Sequence, residues 1–147
     1  MKKIFIILAL IFLTSCNTQN STNDKVISQI NIDNINNTGL FNNCEMMSDE
    51  LLDINKFKLE TFDELIMCSS ELADDPSLYI IALASDGMKN DCRAQLNYYL
   101  DNRLTAYLDY NPEAANMIDN RLEQDYGDYM IYIISKDNEL AFNKLTE

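Results

Sequence analysis

Four cysteines, Cys16, Cys44, Cys68 and Cys92, are the residues best suited to covalent chemistry in this chain. A thiolate can attack an electrophile, ligate a metal or pair in a disulfide. The last three are evenly spaced, 24 residues apart each time. That spacing fits no zinc pattern of closely paired ligands, and the chain has no histidine, so no metal site is expected. Without histidine, the usual nucleophile–base pairs cannot be assembled either. Only three glycines occur, too few for a glycine-rich phosphate loop. Carboxylates are plentiful, 24 in all, so any two that fall near each other carry no information about acid–base catalysis. The acidic stretches Asp74-Asp75, 86–91 and 125–128 lack the alternating ligands and terminal glutamate of a calcium loop, and are expected to be solvated caps and turns. No catalytic residue and no cofactor is assigned, and the chain is not expected to be an enzyme.

Tyrosine is the other distinctive residue type. Seven of the eight (Tyr98, Tyr99, Tyr107, Tyr110, Tyr126, Tyr129 and Tyr132) fall between residues 98 and 132, among acidic side chains. Tyrosine buries a large area while keeping a polar tip, which suits protein interfaces. Tyr99, Tyr107 and Tyr132 are expected in the core. Tyr110 and Tyr126 lie beside the turn signals Asn111-Pro112 and Gly127, where exposure is expected. With Glu113, Asp125 and Asp128 they form the candidate partner-binding set, an acidic edge suited to a basic protein.

The N-terminus carries an address. Lys2 and Lys3 precede nine unbroken apolar residues, 4–12, and Leu13-Thr14-Ser15-Cys16 closes the run. The run is shorter than the roughly 20 residues of a spanning helix and has the three-part layout of an export signal. Leu-Thr-Ser-Cys resembles the lipobox of bacterial lipoproteins. The resemblance implies a signal peptide over residues 1–15 and a lipidated Cys16 as the first mature residue. It further implies anchoring in the cell envelope by that lipid alone, facing the periplasm. Asn17 is not the aspartate associated with inner-membrane retention, which favours the outer membrane. Residues 16–24 (CNTQNSTND) are too polar to bury a core and read as a flexible tether. With Cys16 acylated, Cys44, Cys68 and Cys92 remain in an oxidising compartment. They form either one disulfide and one free thiol or three buried thiols, and the sequence does not choose a pair.

Charge narrows the partners. The 11 basic residues fall to 9 when Lys2 and Lys3 leave with the signal, so 24 acidic residues give the mature chain about −15. Nucleic acid is excluded, because phosphate binding needs clustered lysine and arginine. A basic membrane-surface helix is excluded for the same reason.

Residues 25–147 are long enough for one domain with a real core. Their periodicity predicts an all-α fold, a small irregular bundle or helix-hairpin stack of about five to seven helices. Residues 25–36 suggest a short helix. From residue 43, Cys44, Met47, Leu51 and Ile54 recur at helical spacing, and Met46 and Leu52 widen the stripe. Thr61-Phe62-Asp63-Glu64 matches a capping box for a helix carrying Phe62, Leu65, Ile66, Cys68 and Leu72. Asp75-Pro76 supplies an N-cap and a first-turn proline for an apolar helix over residues 77–85. Residues 90–109 are the clearest amphipathic helix, with Cys92, Leu96, Tyr99, Leu100, Leu104, Tyr107 and Leu108 on one face. Asn111-Pro112 opens another to about residue 124, with Ala115, Ile118 and Leu122 inward. The two proline starts lie 36 residues apart, but the overlaid segments share little identity and no repeat array is supported. Tyr129–Ile134 (YMIYII) fits a buried strand or a buried helix; its β-branched and aromatic content favours a strand, and its helical neighbours favour the helix expected here. Asn138–Leu145 adds a last helix.

In the C-terminal half, Asn111-Pro112-Glu113-Ala114, Arg121-Leu122, Asp125-Tyr126 and residues 135–140 (SKDNEL) resemble the immunity proteins of type VI secretion amidase effectors. The resemblance covers about 40 residues. It implies an exported all-α protein that plugs the active site of a peptidoglycan-cleaving toxin. The lipobox departs from the plain signal of that family, and YMIYII lacks the cysteine expected there. Export, acidity and missing catalytic residues together lead to an expected immunity or inhibitor protein, binding a basic periplasmic toxin or cell-wall hydrolase. The alternative is a structural or assembly lipoprotein of an envelope complex.

Overall fold

The computed structural model describes residues 30–147. The signal peptide, Cys16 and the tether over residues 16–24 lie outside the described residues.

The described chain is not all-α. It is an α/β fold built on a five-stranded antiparallel sheet, and the expected helical bundle is corrected accordingly. A short helix α1 (Ile32–Asn36) leads to edge strand β1 (Cys44–Met46), helix α2 (Asp49–Ile54) and a 3₁₀ turn at Leu59–Thr61. Strands β2 (Phe62–Ser70) and β3 (Leu78–Ala84) follow, then helices α3 (Lys89–Leu108) and α4 (Pro112–Asp119), strands β4 (Leu122–Tyr126) and β5 (Tyr129–Ile134), and helix α5 (Asn138–Leu145). The spatial order is β1-β2-β3-β5-β4, so the last strand inserts between β3 and the edge strand β4.

Both faces of the sheet are covered, and this explains the misread strands. Leu78, Ile80, Ala82, Met130, Tyr132 and Ile134 face α3 and α4, whose Cys92, Leu96, Leu100 and Ile118 complete that half of the core. Tyr79, Ile81, Ile131 and Ile133 face the other way, onto Ile35, Phe41, Ala141 and Leu145. Every residue of β5 is buried, as are the first five of β3. A strand buried on one face alternates apolar and polar; one buried on both reads as a continuous apolar run that periodicity cannot tell from a core helix. YMIYII and residues 77–85 are such runs.

The apparent helix starts are turn chemistry. Asp75 Oδ1 accepts the Ser77 N–H at 3.0 Å, an Asx turn that ends the β2–β3 loop rather than starting a helix. Thr61 closes the 3₁₀ turn by donating its hydroxyl to the Lys58 carbonyl at 2.8 Å, and Glu64 lies in β2, where it accepts from Tyr129 Oη at 2.8 Å. A bulge between Phe62 and Glu64 keeps Phe62 on the same face as Leu65 and Met67. The stripe expected from residue 43 is only partly buried, because residues 44–46 form β1 and the helix begins at Asp49: Leu52 is buried and Cys44 and Met47 are partly buried, while Met46, Leu51 and Ile54 are exposed.

The amphipathic helix over residues 90–109 is present as α3, burying Cys92, Leu96, Leu100 and Tyr107, although Leu108 is exposed. Asn111 caps α4, its Oδ1 accepting the Ala114 N–H at 3.1 Å, with Pro112 in the first turn. That helix ends at Asp119, and Leu122 begins β4 instead of continuing it. The 36-residue offset therefore joins a strand start to a helix start. Helix α5 forms as expected, with Asp137 accepting the Leu140 N–H at 2.9 Å. The β4–β5 hairpin turns on Gly127-Asp128, with Gly127 at φ 60°, a conformation open to glycine at no steric cost.

Two-sided burial gives a direct test. Ile80→Ala and Ile81→Ala truncate consecutive residues that face opposite layers, and each should cost about 2–5 kcal/mol in urea denaturation. A sheet with one solvated face would tolerate one of the two.

Candidate functional site

The β2–β3 loop, residues 71–77, is held against the α3–α4 junction. Tyr110 Oη donates to the Ala73 carbonyl at 3.4 Å, and Asn111 Nδ2 donates to the Asp74 carbonyl at 3.2 Å. Asn111 thus caps α4 with its side-chain oxygen and fastens the loop with its nitrogen. Between this loop, residues 39–43 and the start of α4 lies a groove of about 510 Å³. Asp74, Asp75 and Glu113 line it, and Lys136 is the one cationic side chain that does. Leu72, also lining it, and Tyr110 beside it are 48% and 60% exposed. Behind Tyr110 an aromatic column runs inward. Its ring centroid is 5.1 Å from that of Tyr107, over which the Arg103 guanidinium sits at 5.7 Å.

Asp75 is the best-connected carboxylate of the groove. Partial burial raises its pKa, but hydrogen bonds from the Ser77 hydroxyl and N–H, from Ser70 and from Asn43 outweigh this and hold it below the ordinary value. The carboxylate therefore stays charged and tied into the loop base.

The five expected partner-binding residues do not come together. Tyr110 and Glu113 belong to the groove end of the sheet. Asp125, Tyr126 and Asp128 lie at the opposite end, on β4 and its hairpin turn, because Leu78 pairs with Ile134 at one end of the β3–β5 ladder and Leu83 with Tyr129 at the other. Asp125 is engaged internally, with Lys89 Nζ at 3.0 Å and Arg93 at 2.7 Å. Burial raises its pKa less than these cations lower it. Tyr126 is half-buried and packs edge-on against Phe142, with centroids 6.2 Å apart. Asp128 borders a shallow hollow shared with Asp63, Asp86 and Lys89. Another hollow, of about 380 Å³, lies between Ile54, Tyr98 and Tyr99, with Lys56 and Arg103 on its walls.

Leu72, Asp74, Asp75 and Asn111 were not on the expected partner-binding surface. Asp75 and Asn111 carry cap signals in the sequence, but a cap that also fastens a distant loop has no separate sequence signal. Among the described residues, no group of three or more cysteine and carboxylate side chains is placed to hold a metal ion.

The three described cysteines are all free thiols. Cys92 is buried against α3's face of the sheet, its Sγ 2.9 Å from the Thr61 carbonyl oxygen. Cys44 and Cys68 lie together on the other face. Comparison with family models, curated proteins and solved structures returned no match.

The Asp75 linkage is testable through its sign. A carboxyl whose folded pKa is depressed contributes stability that is fully present above the unfolded value, near pH 4, and is lost as pH falls through the lower folded value. Asp75→Asn should therefore lower the unfolding free energy measured in urea by about 1 kcal/mol at pH 6 to 7. The gap to the parent chain should close on acidification below about pH 4. A gap that widens in acid would contradict the assignment.

Proposed function

We propose that this chain is an envelope-anchored protein-binding module, an immunity or inhibitor protein that neutralises a periplasmic, peptidoglycan-targeting toxin or hydrolase. The observation that carries the proposal is the groove at the β2–β3 end of the sheet. Its acidic wall of Asp74, Asp75 and Glu113 adjoins the exposed side chains of Leu72 and Tyr110. An exposed aromatic anchor beside carboxylates that outnumber the one lysine of the groove is the arrangement expected of a surface that receives a basic protein. The hollow between Ile54 and Tyr98 is less suited, because Lys56 and Arg103 line it. A net charge of −13 over the whole chain steers cationic partners toward the molecule from a distance.

The leader and the lipobox-like Leu13-Thr14-Ser15-Cys16 support an envelope location, with the lipid as the sole membrane attachment. The surface, rather than the all-α fold implied by the resemblance to amidase immunity proteins, carries the proposal. Inhibition requires only that the acidic end occlude a cationic substrate cleft, and no bond chemistry is asked of this chain.

The test is binding and inhibition by the chain without residues 1–15, assayed against the products of neighbouring genes and against cell-wall hydrolases. Tyr110→Ala should weaken binding about tenfold or more, and Glu113→Lys should slow association and flatten its salt dependence. Asp125→Asn, at the far end and held by Lys89 and Arg93, should leave affinity unchanged. Absence of binding to any neighbouring product or wall hydrolase would remove the proposal.

A further inference from the structure

Cys44 and Cys68 occupy adjacent strands in a register that makes them diagonal neighbours. Cys44 pairs with Ser70 and Met46 pairs with Cys68, so both thiols project onto the face covered by α1 and α5. The Cys44 thiol donates to the Ser77 carbonyl oxygen 3.3 Å away, and the Cys68 sulfur is near enough for the two thiols to perturb each other's titration. Cys68 is buried and Cys44 half-buried. Strand β1 has only three residues and pairs with β2 alone, so it is the strand least restrained against the small shift that an S–S bond of about 2.05 Å would need. Cys92 takes no part, since it sits on the opposite face against Thr61.

We propose that Cys44 and Cys68 form a redox-active dithiol that closes to an intramolecular disulfide by exchange with a disulfide oxidant. The Cys68 sulfur, as thiolate, attacks one sulfur of the oxidant and expels the other half as a thiolate. Cys44 then loses its proton and attacks the Cys68 sulfur of the mixed disulfide, and the second half of the oxidant leaves. Two protein thiols and one external disulfide become one protein disulfide and two external thiols, so both protons and both electrons pass to the oxidant. The polarity of the pair favours this order. The hydrogen bond from Cys44 lowers the Cys68 pKa; burial opposes it and Tyr79 assists, and the value settles at about 7. The same contact, with burial, pushes the Cys44 thiol up and keeps its proton in place until it is needed.

The cross-link has a consequence for the groove, whose wall includes Asn42, Asn43 and Ser77. Closing the bond removes the S–H that Cys44 directs at the Ser77 carbonyl and ties β1 covalently to β2 just behind that wall. The bond also closes the loop that carries α2 and the 3₁₀ turn. This inference does not depend on the identity of any partner.

The test uses the full chain, incubated with oxidised glutathione, unfolded, alkylated and analysed by intact mass and peptide mapping. The expected result is two fewer alkylated thiols and a single cross-linked peptide pair containing Cys44 and Cys68. The thermal midpoint should rise by about 5–15 °C, reversed by dithiothreitol. Cys44→Ser should instead stop at a glutathione adduct on Cys68, and Cys68→Ser should form no cross-link. Full alkylation of the parent chain, a bridge to Cys92 or to a second molecule, a retained glutathione adduct in the parent, or an unchanged midpoint would overturn the proposal.

Discussion

Burial of the β3–β5 ladder on both sides is the constraint on which the rest of the molecule depends. Six consecutive pairs, from Leu78 with Ile134 to Leu83 with Tyr129, run through the middle of the sheet. Neither strand has a solvated face along most of its length, so each must be apolar at nearly every position, and two separate sets of helices are required to cover it. α3 and α4 supply one layer; α1, α5 and Phe41 supply the other. Helices covering both faces leave the two sheet edges and the two loop-bearing ends as the surfaces where function can reside. One edge, β4, carries the exposed polar residues Glu123, Gln124 and Asp125, which suits an edge that must not recruit further strands.

The loop-bearing ends differ in how their charge is handled. At the Gly127 end, Asp125 is held by Lys89 and Arg93, and Asp63, Asp86 and Asp128 border a hollow that the same Lys89 lines. At the β2–β3 end, Asp74, Asp75 and Glu113 border a groove containing one lysine, and the exposed side chains of Leu72 and Tyr110 stand beside it. Acidic groups that outnumber their cation beside exposed apolar surface are an arrangement found at interaction sites.

How much of this was legible in the sequence follows from what local signals can encode. Helices α3, α4 and α5 were legible, because amphipathic spacing and the Asn111-Pro112 start are written within a few residues of where they act. The sheet was not. Residues 78–84 and 129–134 lost their alternation to two-sided burial, and the capping signals around Thr61 and Asp75 serve a 3₁₀ turn and an Asx turn instead. The local clues were the β-branched and aromatic content of YMIYII and, before it, Gly127-Asp128, a two-residue hairpin signal; together they outweigh the helical neighbours on either side. Of the candidate surface, Tyr110 and Glu113 were found through their position beside a turn. Their separation from Asp125, Tyr126 and Asp128 depends on strand order, which no local pattern records. The proximity of Cys44 to Cys68 depends likewise on the β1–β2 register, since even spacing along the chain favours no pair.

The central claim is that the β2–β3 end, and not the Gly127 end, receives a basic protein partner. Hydrogen–deuterium exchange of the chain with and without a basic protein that it binds, drawn from neighbouring gene products and cell-wall hydrolases, tests this most directly. The account predicts slowed exchange confined to residues 39–43, 71–77 and 110–117, with residues 123–128 unaffected. Protection centred on residues 123–128 or on α5, with the groove segments unchanged, would contradict it.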